Sequence, residues 1–125
     1  MVFADPNMIK TVILNLVTNA IKFTPVNGTI TIECEQRVDL PGMIILAIKD
    51  NGVGIPESEL RQLFSLSKSH STSGTNGETG TGIGLVLCRE FVEKNKGKIW
   101  VESHQDGLTQ NPGSTFYVAL PVRPL

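Results

Sequence analysis

Cysteine, surplus charge and long apolar runs are all scarce in this chain, and each scarcity removes a class of function. Only two cysteines occur, Cys34 and Cys88, in apolar-patterned segments without CxxC or Cys/His ligand spacing. No metal or redox motif is written in them, and both read as reduced, buried thiols. The 11 basic residues are balanced by 12 acidic ones, so no field demands a polyanionic partner and nucleic acid is not an expected ligand. No apolar run approaches the ~20 residues of a bilayer-spanning helix, and no charged-then-apolar leader opens the sequence. The chain itself therefore reads as soluble, and a membrane-anchored parent protein is compatible with that. What remains, 125 residues with 40% hydrophobic composition, suits one domain around one core.

Asp5-Pro6 is a helix-start signal, and no breaker follows until Pro25, which predicts a first helix over 6–24. Asn27-Gly28 makes a turn. The alternation Thr29 to Glu35 and the run Met43 to Lys49, separated by Pro41-Gly42, predict an antiparallel hairpin. Residues 57–64 suit one or two helical turns, while 65–79 hold a single apolar side chain and read as a mobile loop. From Gly80 the helical spacing of Ile83, Val86, Leu87 and Phe91 predicts a second long helix ended by Gly97. Strands over 98–103 and 114–120 complete the order helix, hairpin, helix, hairpin. The expected fold class is an α/β, more closely α+β, two-layer sandwich with helices on one face of a mixed, mostly antiparallel sheet.

Three segments carry residues suited to chemistry. On the first helix, Ile9, Val12, Ile13, Leu16, Val17 and Ala20 form an apolar stripe, and Asn15, Asn19 and Lys22 fall within roughly 60° of each other at about 100° per residue. Two amides and an ammonium on one edge suit a hydrated Mg²⁺ and a phosphate; a solvated polar face uses the same residues. Asp50-Asn51-Gly52-Val53-Gly54-Ile55 follows an apolar strand. Its glycines admit close approach of a flat ring, and Asp50 is able to accept from an exocyclic amine such as that of adenine. Any tight turn also favours Asp, Asn and Gly. Gly80-Thr81-Gly82-Ile83-Gly84-Leu85 opens the second helix and offers unpaired N–H groups to an anion. No Gly-Lys-Ser/Thr follows as a P-loop requires, and no strand precedes it as a dinucleotide fingerprint requires.

In this order the segments resemble the catalytic and ATP-binding domain of histidine protein kinases, of the Bergerat-type fold shared with the gyrase B subunit, a heat-shock chaperone and the mismatch-repair ATPases. Asn15 to Phe23 is similar to the N box, Asp50 to Ile55 to the G1 box, Leu63-Phe64 to the F box, Gly80 to Leu85 to the G2 box, and Gly113-Ser114-Thr115-Phe116 to the last glycine box. The resemblance spans residues 5–121. It implies ATP and Mg²⁺ as ligands. Asn19 with Asn15 would hold the metal, and Lys22 would contact phosphate, these three forming the catalytic set. Asp50 would read the adenine amine with support from Thr115, and Gly52, Gly54 and Ile55 would shape the slot, with Phe23 facing either the nucleotide or the core. Gly80, Thr81, Gly82, Ile83, Gly84 and Leu85 would line the phosphates, and residues 65–82 would be a lid anchored by Phe64.

Position 15 separates branches of this superfamily, because a glutamate there activates water for hydrolysis and an asparagine has no titratable carboxylate. Asn15 therefore points to transfer rather than to an ATPase switch. A catalytically silent interaction module of the same fold is the remaining alternative. The implied partners are a histidine-bearing dimerisation domain and, downstream, a response-regulator receiver, with the domain in the cytoplasm. Several parts of the family pattern are missing. His70 and His104 do not fit an acceptor pattern, and the usual preceding hairpin, N-terminal helix and first strand are not in the sequence. The sheet is thus expected to have an edge open to self-association. The lid also has Ser67 and Lys68 in place of the family's second aromatic and basic residue.

Overall fold

The computed structural model describes residues 4–60, 62–64, 83–104 and 112–122. The expected loop over 65–79, the lid, Lys68, His70, Gly80, Thr81, Gly82 and the side chain of Ile83 lie outside the described residues. Helix α1 runs Pro6–Phe23. Asp5 caps it, its carboxylate accepting from the N–H groups of Asn7 at 2.9 Å and Met8 at 3.2 Å, and Pro6 occupies the first turn, where no N–H is needed. The helix stops at Thr24, whose buried hydroxyl donates to the Ala20 carbonyl at 2.6 Å. Pro25 then forbids another turn.

Strands β1 (Ile30–Glu35), β2 (Met43–Asp50), β3 (Lys98–His104) and β4 (Gly113–Pro121) form a sheet in the order β1-β2-β4-β3, every pairing antiparallel. The two hairpins join where β2 pairs with β4, setting Ile48 opposite Phe116 and Asp50 opposite Ser114. A short helix α2 (Glu57–Leu60) and the longer α3 (Ile83–Lys94) complete the described elements. Period-two alternation sends Ile48, Phe116 and Val118 to the face under α1 and α3, where they meet Val12, Leu16, Cys88 and Val92; all are at most 1% exposed. Burying each large apolar side chain contributes about 1.5–3 kcal/mol, which makes this layer the main source of stability.

On the opposite face Trp100 and Tyr117 stack with centroids 5.1 Å apart, and the Arg37 guanidinium lies 5.8 and 5.0 Å from their rings. Arg37 also pairs with Glu35 at 3.2 Å. The hairpin connection is thus folded back over its own sheet, an arrangement that cation–π attraction favours.

Two local expectations are corrected. Helix α3 turns left-handed at Lys96 (φ 63°), not at Gly97, with Gly97 N–H bonded to the Val92 carbonyl and Lys96 N–H to that of Glu93. These two bonds satisfy the last carbonyls in a Schellman arrangement, which requires the left-handed residue one place earlier. Cys34 is exposed, since it sits on edge strand β1, while Cys88 is buried against α1 with its thiol donating to the Val12 carbonyl. Burial pushes the Cys88 thiol up to about 11. Only the thiolate attacks alkylating reagents. Native protein treated with iodoacetamide at pH 8 should therefore gain one adduct, on Cys34, and denatured protein two, as counted by intact mass.

Candidate nucleotide site

The end of β2 delivers Asp50 into the sheet with 5% of its surface exposed. Its Oδ1 accepts from Gly52 N–H at 2.9 Å and from Ser114 N–H at 3.3 Å. Among the described residues Oδ2 accepts nothing. Burial raises the Asp50 carboxyl above its usual range, and the Gly52 and Ser114 N–H groups pull it back in part. A buried carboxylate with one oxygen fixed by backbone and the other without a donor among the described residues can accept from a ligand N–H.

The loop after Asp50 is pressed against the end of α1. A Cβ added to Gly52 would lie 2.2 Å from the Phe23 carbonyl oxygen, so only glycine passes there. Gly54 is left-handed at φ 81°, a conformation that favours glycine. Phe23 is half-buried, and the Lys22 ammonium lies 5.1 Å from its ring centroid. Ile55 closes the loop by donating its N–H to Ser103 Oγ at 2.7 Å.

Asn15 and Asn19 share the edge of α1. The Asn15 amide donates to the Thr11 carbonyl at 2.8 Å, which fixes its flip. The Asn15 Oδ1 then faces α3, where a Cβ on Gly84 would approach it to 2.7 Å. Asn19 is half-buried, and among the described residues its amide makes no hydrogen bond. Leu85 is buried in the first turn of α3. Phe64 meets core Phe116 edge-on at 6.4 Å and so fixes the point where the segment 65–82 begins. No cluster of three or more His, Cys, Asp or Glu stands ready for a metal among the described residues. The amide oxygens of Asn15 and Asn19 are therefore the neutral oxygen donors this edge offers to a cation.

Thr115 is the expectation that the register overturns. It pairs with Lys49 and Glu102, and alternation from buried Phe116 turns it to the opposite face of the sheet from Asp50. Ser114, 5% exposed and paired with Asp50, stands in its place. Ser103 was also missed. Counting back two residues from Phe116, the core residue of β4, identifies Ser114; Ser103 had no signal, because its role depends on cross-strand register.

The chain is 40% identical over 122 residues to the adaptive-response sensory kinase SasA of Gloeothece citriformis, covering 97% of this chain and 28% of that one. It thus spans less than a third of that relative's length. In structure it is similar to the mycobacterial sensor histidine kinase MprB, with a TM-score of 0.78 and 30% identity over 99% of this chain and 78% of that one. It is also similar to the catalytic domain of the histidine kinase ThkA, with a TM-score of 0.74 and 34% identity over 97% and 71% of the two chains. The sequence profile of the histidine kinase-, DNA gyrase B- and HSP90-like ATPases matches residues 4–124. The chain that joins a buried Asp50 to an amide-lined helix edge belongs to this family.

Proposed function

We propose that this chain binds ATP with Mg²⁺ and acts as the catalytic domain of a sensor histidine kinase, passing the γ-phosphate to a histidine on a separate helical hairpin. The observation that carries the reading is Asp50. Two backbone donors hold its Oδ1, and among the described residues Oδ2 has no donor, which supports a role in accepting from a single exocyclic amine. The relatives named above are kinases, and Asn15 supports transfer over hydrolysis because an amide removes no proton from water.

The remaining residues divide the work. Asn19 and Asn15 present oxygens on the α1 edge, and Lys22 brings positive charge to the same edge. Gly84 allows the start of α3 to close on Asn15, bringing the helix's positive end towards the phosphates. The family resemblance assigns Gly80, Thr81, Gly82 and Ile83 to phosphate contact and residues 65–82 to the lid; of these only the backbone of Ile83 lies within the described residues. Mg²⁺ held by the two amides and by phosphate oxygens would neutralise charge developing at the transferred group. Catalysis is then positioning, with the imidazole nucleophile supplied by the acceptor hairpin. A response-regulator receiver takes the phosphate onward, and the domain works in the cytoplasm, whether or not its parent is membrane-anchored. Among the described residues β1 and β3 are the edge strands of the sheet, and self-association through such an edge is part of this reading.

Thermal unfolding with a non-hydrolysable ATP analogue tests the assignment of Asn19. A ligand at 100 times its Kd stabilises by about 2.7 kcal/mol, and with Mg²⁺ the wild type should show a larger shift than with EDTA. In Asn19→Ala the two shifts should become equal. If that variant keeps the full Mg²⁺-dependent increment, the amide does not hold the metal.

A further inference from the structure

We infer that Ser103 is a positioning residue that sets the width of the adenine slot and so contributes to base specificity; this rests on the nucleotide-binding reading above. Ser103 lies near the end of β3, opposite Ser114 in register and on the same face as Asp50. Its hydroxyl oxygen is 2.7 Å from the Ile55 nitrogen, 3.1 Å from the Gly113 carbonyl and 2.7 Å from the Ser114 hydroxyl. A hydroxyl donates once and accepts twice. All three contacts are used when Ser103 accepts from Ile55 N–H and from Ser114 O–H and donates to the Gly113 carbonyl.

The consequence lies in what is tied to what. The loop from Asp50 to Ile55 is anchored at its start by Gly52 N–H on Asp50 and at its end by Ile55 N–H on Ser103. Between these two bonds sit Val53, 39% exposed, and Gly54, left-handed at φ 81°. Asp50 and Ser103 thus hold opposite ends of the loop that walls the slot. Ser114 joins them, since its N–H reaches Asp50 and its hydroxyl reaches Ser103. Removing the Ser103 hydroxyl frees the Ile55 end while leaving Asp50, Asn15, Asn19 and the start of α3 in place. The purine then loses one wall, while the triphosphate keeps its contacts.

Inosine triphosphate is the discriminating probe, because its purine carries an oxygen where adenine carries the amine that Asp50 accepts. Calorimetric Kd values would be measured for ATP and inosine triphosphate on the wild type, Ser103→Ala, Ser103→Thr, Ser103→Cys and Asp50→Asn. The wild type is expected to prefer ATP. Ser103→Ala should bind ATP about 3- to 10-fold more weakly, the range for one neutral hydrogen bond, and the ratio of the two Kd values should narrow. Ser103→Thr should restore both. A purely structural serine would lower the thermal midpoint and leave the ratio unchanged, and that result overturns the proposal. Ser103→Cys, close in size and a weak acceptor, replaces Ser103→Ala if the latter does not fold, with the same expected narrowing. If the wild type binds both nucleotides equally, adenine reading by Asp50 fails and the Ser103 role falls with it. A preference for ATP that Asp50→Asn removes and Ser103→Ala retains defeats the Ser103 role alone.

Discussion

Asp50→Asn should weaken ATP binding by roughly 10- to 150-fold, the range for a hydrogen bond to a charged group, without lowering the stability of the nucleotide-free protein. The substitution keeps an oxygen able to accept from Gly52 and Ser114, so the loop retains its anchor. In place of Oδ2 it puts an NH₂ donor, which opposes the adenine amine instead of accepting from it. Stability follows from the direction of the Asp50 shift. Its folded value is raised above 3.8, chiefly by desolvation. A group raised in this way favours the folded state at pH below its unfolded value, and that advantage is lost as pH rises through the folded value. At neutral pH the ionised Asp50 is therefore a cost, which the neutral amide removes, as is common where a site is shaped for function at the expense of stability. By the same logic, wild-type ATP affinity should fall as pH is lowered through the raised value. Thermal unfolding of both proteins with and without ATP analogue checks both halves. An unfolding midpoint for the Asp50→Asn variant well below that of the wild type would show that the charge is needed for the fold.

Gly113→Ala should destabilise the protein by about 3–5 kcal/mol, from backbone strain of about 1–3 kcal/mol together with a steric clash. Gly113 begins β4 at φ 146°, where side chains are strained, and an added Cβ would lie 2.1 Å from the Asp50 carbonyl oxygen, a backbone atom that has little freedom to retreat. On a domain of this size the expected drop in melting temperature is on the order of 10 °C or more. Gly42→Ala separates the two causes. Gly42 is also left-handed, at φ 76°, but nothing lies within 4 Å of an added Cβ, so only about 1 kcal/mol of strain is expected. Equal losses at the two positions would show that the tight passage of β4 against Asp50 is not rigid. The Gly113 variant should also lose nucleotide affinity, since the next residue, Ser114, is one of the two anchors of Asp50.

The parts legible in the sequence were those set by local periodicity. Asp5, Pro6 and Pro25 bound α1, and the alternation of apolar residues located all four strands to within one residue at either end. Asp50, Gly52 and Gly54 could be read as a strand-end cradle because short-range chemistry restricts such turns to a few residue types. What escaped was set by cross-strand register. Thr115 and Ser114 are adjacent in sequence yet point to opposite faces, and only the pairing of Asp50 with Ser114 decides between them. Ser103 is 48 residues from the Ile55 N–H it accepts, a separation over which sequence carries no pattern. Cys34 was misjudged for a related reason: its alternating strand sits at the sheet edge, where neither face is fully covered.

The measurement that bears most directly on the function is transfer in trans. The chain would be mixed with Mg²⁺, γ-labelled ATP and a separate histidine-bearing helical hairpin taken from one of the sensor kinases it resembles. The account predicts acid-labile, base-stable label on the hairpin, with transfer lost in Asp50→Asn and with little inorganic phosphate released when the hairpin is omitted. Steady ATP hydrolysis without transfer, abolished by Asn15→Ala, would contradict it and place the chain among the ATPases of its family.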